Sequence, residues 1–393
     1  MTDTACLTID AMTLREWRHD FHRHPETAYE EHRTSQRIAE ILEQAGIPFT
    51  SGLGGGTGIV ATLKGRLGDG PSVGLRADID ALDVTELNDV GHASRVPGKM
   101  HACGHDGHTT MLLGAACRLA QQPDFAGTVH FIFQPAEESE GGGRAMVEEG
   151  LFERFPMEAV YGVHNWPGLP VGEAAVHDTA VMAAFDVFTL TLTGNGCHAA
   201  MPHLGSDAIL AACQLVNQLQ GLISRETPAH QTAVLSVTQF HAGDAFNVIP
   251  ETVELRGTLR CFDEPLRQRL QQRFADVVDA TARLHGLKVA LDYQPRYPAT
   301  FNTPEHARRC AEVLERVPGI ERVHRDLPPS MASEDFAFML NERPGAYIWL
   351  GNGEHSAALH NPHYDFNDDL APLGVEYWTR LVATLLGQHA APR

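Results

Sequence analysis

The apolar residues of this chain change period part-way along and then change back, and no other feature restricts its fold so tightly. From residue 58, the short apolar runs GIVATLKG, SVGLRADID, TVHFIFQ and AVYGVHN are interleaved with helical stretches such as TTMLLGAACRLAQQ. Unbroken apolar runs of this length are strands covered on both faces, and strands alternating with helices build a largely parallel sheet. Upstream, the 12–46 segment carries Ile38, Ile41 and Leu42 at helical spacing and ends at Gly46. Near residue 183 the texture becomes FDVFTLTLTG, apolar and polar in alternation, as in a sheet with one wet face. There follow a helix (DAILAACQLVNQLQGLI), the strands TAVLSVTQF and ETVELRGTLRCF, a helix over about 264–285 and the strand KVALDYQ. The order β-α-β-β-α-β is that of a split-βαβ, ferredoxin-like sandwich, a unit in its own right. Beyond about 298, helix and buried strand return, AYIWLGN among them. With 393 residues, about two domains are expected. The pattern predicts an α/β protein whose larger domain is discontinuous (1–182 and 298–393), with a mostly parallel mixed sheet flanked by helices. A smaller βαββαβ domain is inserted over 183–297.

Lysine and arginine number 30 against 50 acidic residues, a net charge of −20. With no basic stripe to offset it, this excludes nucleic acid as a partner. Seven cysteines from Cys6 to Cys310 are odd in number and scattered, so they are not a disulfide framework. No segment reaches the ~20 apolar residues of a membrane span, and MTDTACLTIDAMTLREW does not resemble a secretory leader. The expected compartment is the reducing cytoplasm, with no membrane partner.

Chemistry-bearing residues gather at the C-terminal ends of the expected core strands, the edge where open α/β sheets collect ligands. Asp78 and Asp80 follow SVGLRA, Glu137 and Glu138 follow TVHFIFQPA, His164 follows AVYGV and His360 lies a few residues beyond AYIWLGN. MHACGHDGH, 100–108, fills the loop before a helix. Cys103 and His105 are two apart, so in an extended loop they point the same way and can share a cation; thiolate and imidazole suit zinc and other later divalent metals. Asp106 and His108 are expected to orient the ligands from behind. Adjacent carboxylates raise each other's pKa. A cation resolves that conflict by binding Glu138 and leaving Glu137 as the base. Taken singly, each histidine is as well explained by a buried hydrogen bond.

The strings RADIDAL, SRVPGKMHACGHDGH, FQPAEE, HAAMPH, NVIPE, SEDF and LHNPHYDFND, in this order, resemble the amidohydrolase branch of the co-catalytic metallopeptidase family, which includes hippurate hydrolases, auxin-conjugate hydrolases and aminoacylases. The resemblance implies metal-dependent hydrolysis of the amide bond of a small-molecule N-acyl amino acid, with a dipeptidase or carboxypeptidase of the same family as the alternative. It implies two divalent metal ions (zinc or manganese, with cobalt or nickel admissible) held by Cys103, His105, Glu138, His164 and His360, with Cys103 bridging. It makes Glu137 the general acid/base and Asp78 a supporting residue. Other branches carry a metal-binding histidine where this chain has Arg76, and His105 would replace it. The larger domain would be catalytic and the inserted one a lid and dimerisation domain, making a homodimer or higher homo-oligomer. From that domain His198 would reach a neighbouring subunit's site and polarise the scissile carbonyl, while Asn247 and Arg260 would hold substrate. The chain departs from the branch at Asn195, Cys197 and Asp83, near the expected rim of the site.

Two readings from other classes compete: a cysteine hydrolase using Cys103 and His105, and a non-catalytic metal-binding dimerisation protein. GLGGGTGIV has the glycine spacing of a nucleotide loop, but it leads into a strand instead of a helix, so a flexible turn is expected.

Overall fold

A computed structural model of the protein describes residues 8–138 and 140–387; Cys6 and the N-terminal segment read above as lacking a leader lie outside or partly outside them. Contacts divide the chain into two compact units, one drawn from within 1–181, 301–328 and 335–393, the other from 182–300 and 329–334.

The first unit is built on an eight-stranded mixed sheet in the order Phe49–Leu53, Gly58–Lys64, Thr128–Gln134, Ser72–Asp78, Ala159–Pro167, Gly345–Gly353, Glu173–Ala175, Arg322–His324. Its four central strands, from Thr128–Gln134 to Gly345–Gly353, run parallel to one another. They are also the most deeply buried, which is why they read as unbroken apolar runs. Helices Ala11–Arg23, His105–Gln121 and Leu370–Leu386 pack together and share one apolar core with the sheet. Nearly every residue of His105–Gln121 is buried, so it lacks the polar stripe of a surface helix. Parallel strands end at the same edge. Asp78 therefore sits in register with Gln134, and His164 with Trp349.

The second unit is a four-stranded antiparallel sheet in the order Ala233–Ala242, Thr252–Cys261, Ala184–Thr193, Lys288–Tyr297. Helices Ala208–Gly221 and Glu264–His285 cover one face. Ala184–Thr193 alternates buried and half-buried residues along its whole length, as the period-2 sequence requires. Pro295 is tolerated because Lys288–Tyr297 is an edge strand.

Candidate metal centre

The helix expected from residue 109 in fact starts at His105, so MHACGHDGH is half loop and half first turn. Gly104 makes the corner. It is left-handed at φ 94°, and a Cβ there would meet Asn165 Oδ1 at 2.2 Å and Tyr364 Oη at 2.5 Å. Cys103 and His105 converge across this corner, not along an extended strand.

Donor atoms of Cys103, His105 and His164 lie within 4.8 Å of one another, as do those of Cys103, Glu138 and His360, and those of His105, Glu137 and Glu138. All five expected ligands and the expected base are therefore gathered in one cluster, and Cys103 belongs to two of the groups. His105 donates from Nδ1 to the Asp80 carbonyl (2.9 Å), and His164 from Nδ1 to the Asn165 carbonyl (2.6 Å). Those bonds leave each Nε2 facing the cluster, and His164 Nε2 lies 3.5 Å from Cys103 Sγ. His360, left-handed at φ 63°, is tied by its N–H to the Ala102 carbonyl (2.8 Å).

Burial would lower the His105 pKa, but Asp78, Asp80 and Glu138 carry it up to about 10. Burial and then His108 hold His164 well below its ordinary value, leaving a neutral imidazole. Burial, reinforced by Glu138 and Glu137, pushes the Cys103 thiol well up. Burial would raise Glu138, but its contact with His360 keeps it low.

The implied cations fit these residues. His105 Nε2 is buried without a hydrogen-bond partner. Glu138 Oε1 lies 4.0 Å from it and 3.2 Å from His360 Nε2, yet is aligned with neither as a hydrogen bond. Buried polar atoms are nearly always partnered. Sulfur, imidazole and carboxylate donors facing one another in this way are a set that a divalent cation would fit.

The family model described as peptidase family M20/M25/M40 matches residues 74–384, which span every residue of this cluster. The chain belongs to that family. It is 36% identical over 371 residues to an N-acetylcysteine deacetylase of Bacillus subtilis, covering 94% of this chain and 96% of the relative. It is 36% identical over 369 residues to a hippurate hydrolase of Campylobacter jejuni, covering 94% and 95%. A Bacillus subtilis crystal structure described as a dinuclear metal binding peptidase of family M20 superposes with a TM-score of 0.82 at 33% identity, covering 96% of this chain and 98% of that one. The chain is an amidohydrolase with grouped metal-binding side chains.

Behind this M20 centre the structure adds Gln134, Asp335 and Asn165, which were given no role from sequence. Arg76 is buried and donates to Gln134 Oε1 (2.8 Å), Asp78 Oδ2 (2.7 Å) and Asp335 Oδ1 (3.0 Å). Asp335 also accepts from Gly143 N (2.7 Å), and its own N–H reaches Glu137 Oε1 at 3.4 Å. Asp80 accepts from Glu138 N (2.9 Å) while its carbonyl orients His105, so one residue aligns two expected ligands. His108 bridges Asp78 (2.6 Å) and Asn165 (2.7 Å), neither of which is an expected ligand. Asp106 does not behave as expected: it turns to His22 (2.8 Å) because the first helical turn points it away from the cluster. The only sequence signal for Asp80 and Asp335 was an acid near a strand end or in SEDF, which cannot tell a ligand from a backbone acceptor.

In the second unit, the exposed His198 pairs with Val248, and Asn247 accepts from Ala199 N (2.9 Å), so His198 and Asn247 share one short ribbon. Arg260 lies over the Phe185 ring (4.5 Å to its centre) and donates to the Met331 carbonyl (2.9 Å). Cys197 sits on the same ribbon against Gly205, whose amide neighbour Ser206 donates to the Asn195 carbonyl (3.0 Å). In the first unit Asp83 pairs with Lys99 (3.1 Å). The glycine turn is not loose: Gly54 N and Gly55 N donate to the Glu149 carboxylate (2.7 and 3.0 Å), which takes the place a phosphate would need. Among the described residues no helix is long and apolar enough to cross a membrane.

Proposed function

We propose that this enzyme hydrolyses N-acyl amino acids of the hippurate or N-acetyl kind to a carboxylic acid and a free amino acid. Two divalent cations, zinc or manganese with cobalt or nickel admissible, would be held by Cys103, His105, Glu138, His164 and His360. The observation that carries this reading is the convergence of those donors around the unbonded His105 Nε2 and Glu138 Oε1. Membership of Cys103 in two ligand groups supports a bridging thiolate. The relatives named for N-acetylcysteine and hippurate support the substrate class.

Bound cations would make a water acidic and polarise the acyl carbonyl. Glu137 takes the proton of the attacking water and delivers it to the departing amine nitrogen, and the Asp335 N–H steadies its carboxylate for both transfers. Asp78, ionised between Arg76 and His108, supports the charge balance behind His105.

The second unit acts as lid and dimerisation domain. His198 polarises the scissile carbonyl in a neighbouring subunit, and Asn247 and Arg260 hold the substrate. The exposure of His198, amid exposed Met201, Leu204, Phe246 and Val248, supports a role against another surface. The edge strand Ala233–Ala242, with exposed Val234 and Phe240, suits pairing with a second copy. The six described cysteines form no disulfide, which supports the reducing cytoplasm as the compartment.

The test is a panel of N-benzoylglycine, N-acetyl amino acids and dipeptides assayed with added zinc, manganese or cobalt, alongside Glu137→Gln. N-acyl amino acids should be preferred. Glu137→Gln should keep its metal and lose roughly 10²- to 10⁴-fold in kcat. Preference for dipeptides, or wild-type turnover by the variant, contradicts the reading.

A further inference from the structure

Helix His32–Gln44 begins at Glu31, yet the Glu31 side chain does not cap it. Glu26 does so instead, accepting from Arg33 N (3.0 Å) and Thr34 N (2.8 Å). The Glu31 carboxylate, 0% exposed, turns the other way. One oxygen accepts from Ala136 N (2.9 Å) and the other from the Thr57 hydroxyl (2.7 Å). Burial, and then Asp80, push this carboxyl up to about 7. A buried acid whose hydrogen-bond donors are both neutral is unfavourable unless it fixes something that matters.

What it fixes is Ala136, one of three non-glycine residues with positive φ among those described (53°). That conformation is sterically costly for a residue with a Cβ and persists only where its surroundings hold it. Here it comes immediately before Glu137 and Glu138. Consecutive side chains of an extended strand point to opposite faces. Glu137 and Glu138 lie in a turn instead, and both carboxylates come within 4.8 Å of the same His105 nitrogen. On the far side Gly142 N donates to the Ala136 carbonyl (2.9 Å). Glu138 has a clamp of its own, the Asp80 carboxylate on its N–H. The backbone bond just upstream of Glu137 is the one supplied by Glu31.

We infer that Glu31 is a positioning residue for the reaction: by holding the Ala136 amide in its left-handed turn, it aims the Glu137 carboxylate at the reacting water. This rests on the reading of Glu137 as the base. The role differs from that of a ligand, because Glu138 keeps Asp80 when Glu31 is removed.

The test compares Glu31→Ala and Glu31→Gln with the wild type as metal-loaded full-length enzymes, reading kcat, KM, metal content and amide hydrogen exchange over residues 134–143. Glu31→Ala should lose roughly 10- to 100-fold in kcat, the scale of a small misplacement of a catalytic group, with KM and metal content little changed. Exchange over 134–143 should quicken. Glutamine retains an acceptor for Ala136 N and should restore both kcat and slow exchange. Should Glu31→Ala fail to fold, Thr57→Val frees the other oxygen and should quicken the same exchange while lowering kcat less. Wild-type kcat in a folded Glu31→Ala, unchanged exchange, or a kcat loss that glutamine does not restore overturns the inference. A wild type that turns over no N-acyl amino acid defeats the functional reading instead, while the exchange comparison still reports on the clamp.

Discussion

Replacing Arg76 by leucine probes the charge balance beneath the metal centre. The guanidinium makes three bonds, to Asp78, Asp335 and Gln134, and neither aspartate side chain is exposed. Leucine fills part of the space but leaves two buried carboxylates without their common cation. Breaking a buried ion pair from one side costs about 3–5 kcal/mol, so Arg76→Leu should lose that much stability. All four tryptophans (Trp17, Trp166, Trp349 and Trp378) lie in the first unit, so urea unfolding followed by their emission reports on the unit that contains the network. The midpoint should fall by about 1 M urea or more. Lysine keeps the charge without the three-way fork, so Arg76→Lys should fall between the two. Burial opposes ionisation of Asp78, but His105, His108 and Arg76 hold its folded pKa well below 3.8. A depressed carboxyl pKa stabilises above the unfolded value and loses that contribution as pH falls, so the gap between variant and wild type should narrow below about pH 4. A loss under ~1 kcal/mol at neutral pH would refute the buried-network account.

Two further outcomes follow from other parts of the structure. Burial disfavours the charged form of His22, but Asp106 (2.8 Å) and then Glu86 raise its pKa to about 9. A raised histidine pKa gives stability that is complete below about 6.5 and lost as pH rises through about 9. His22→Asn should therefore flatten the decline in urea midpoint between those pH values, a span of roughly 3 kcal/mol; an unaltered slope would show that His22 is not the titrating group. If His198 serves the neighbouring subunit, mixing inactive His198→Ala with inactive Glu137→Gln should recover about a quarter of wild-type activity, since half the dimers are mixed and each mixed dimer holds one intact site; no recovery would place His198 outside a shared site.

The sheet was legible because parallel central strands must be apolar on both faces, and the second unit because its wet-faced strands alternate. Residues at strand ends were legible for the same reason: Asp78, Glu137 and Glu138 lie at or just beyond the point where two parallel strands stop together, whereas the strand that carries His164 runs on to Pro167. The corners were not. Gly104 does not announce the left-handed corner that brings Cys103 and His105 together, nor Ala136 its positive φ, and an extended loop was read where a helix already begins. Acids that bond backbone amides, Glu31, Asp80 and Asp335, carry no spacing that separates them from surface carboxylates. Glu149 was invisible for the same reason, although it is what holds the glycine turn. Segment 329–334 is too short to show any period, yet it groups with the second unit.

The central claim is that this cluster holds a pair of cations bridged by Cys103. Anomalous scattering from crystals grown with manganese or zinc, with metal content measured on the same protein, tests it most directly. The account predicts two peaks per chain, both within about 2.5 Å of the Cys103 sulfur, one of them also bonded to Glu138 and His360. A single peak, or two peaks that do not share the sulfur, would contradict it.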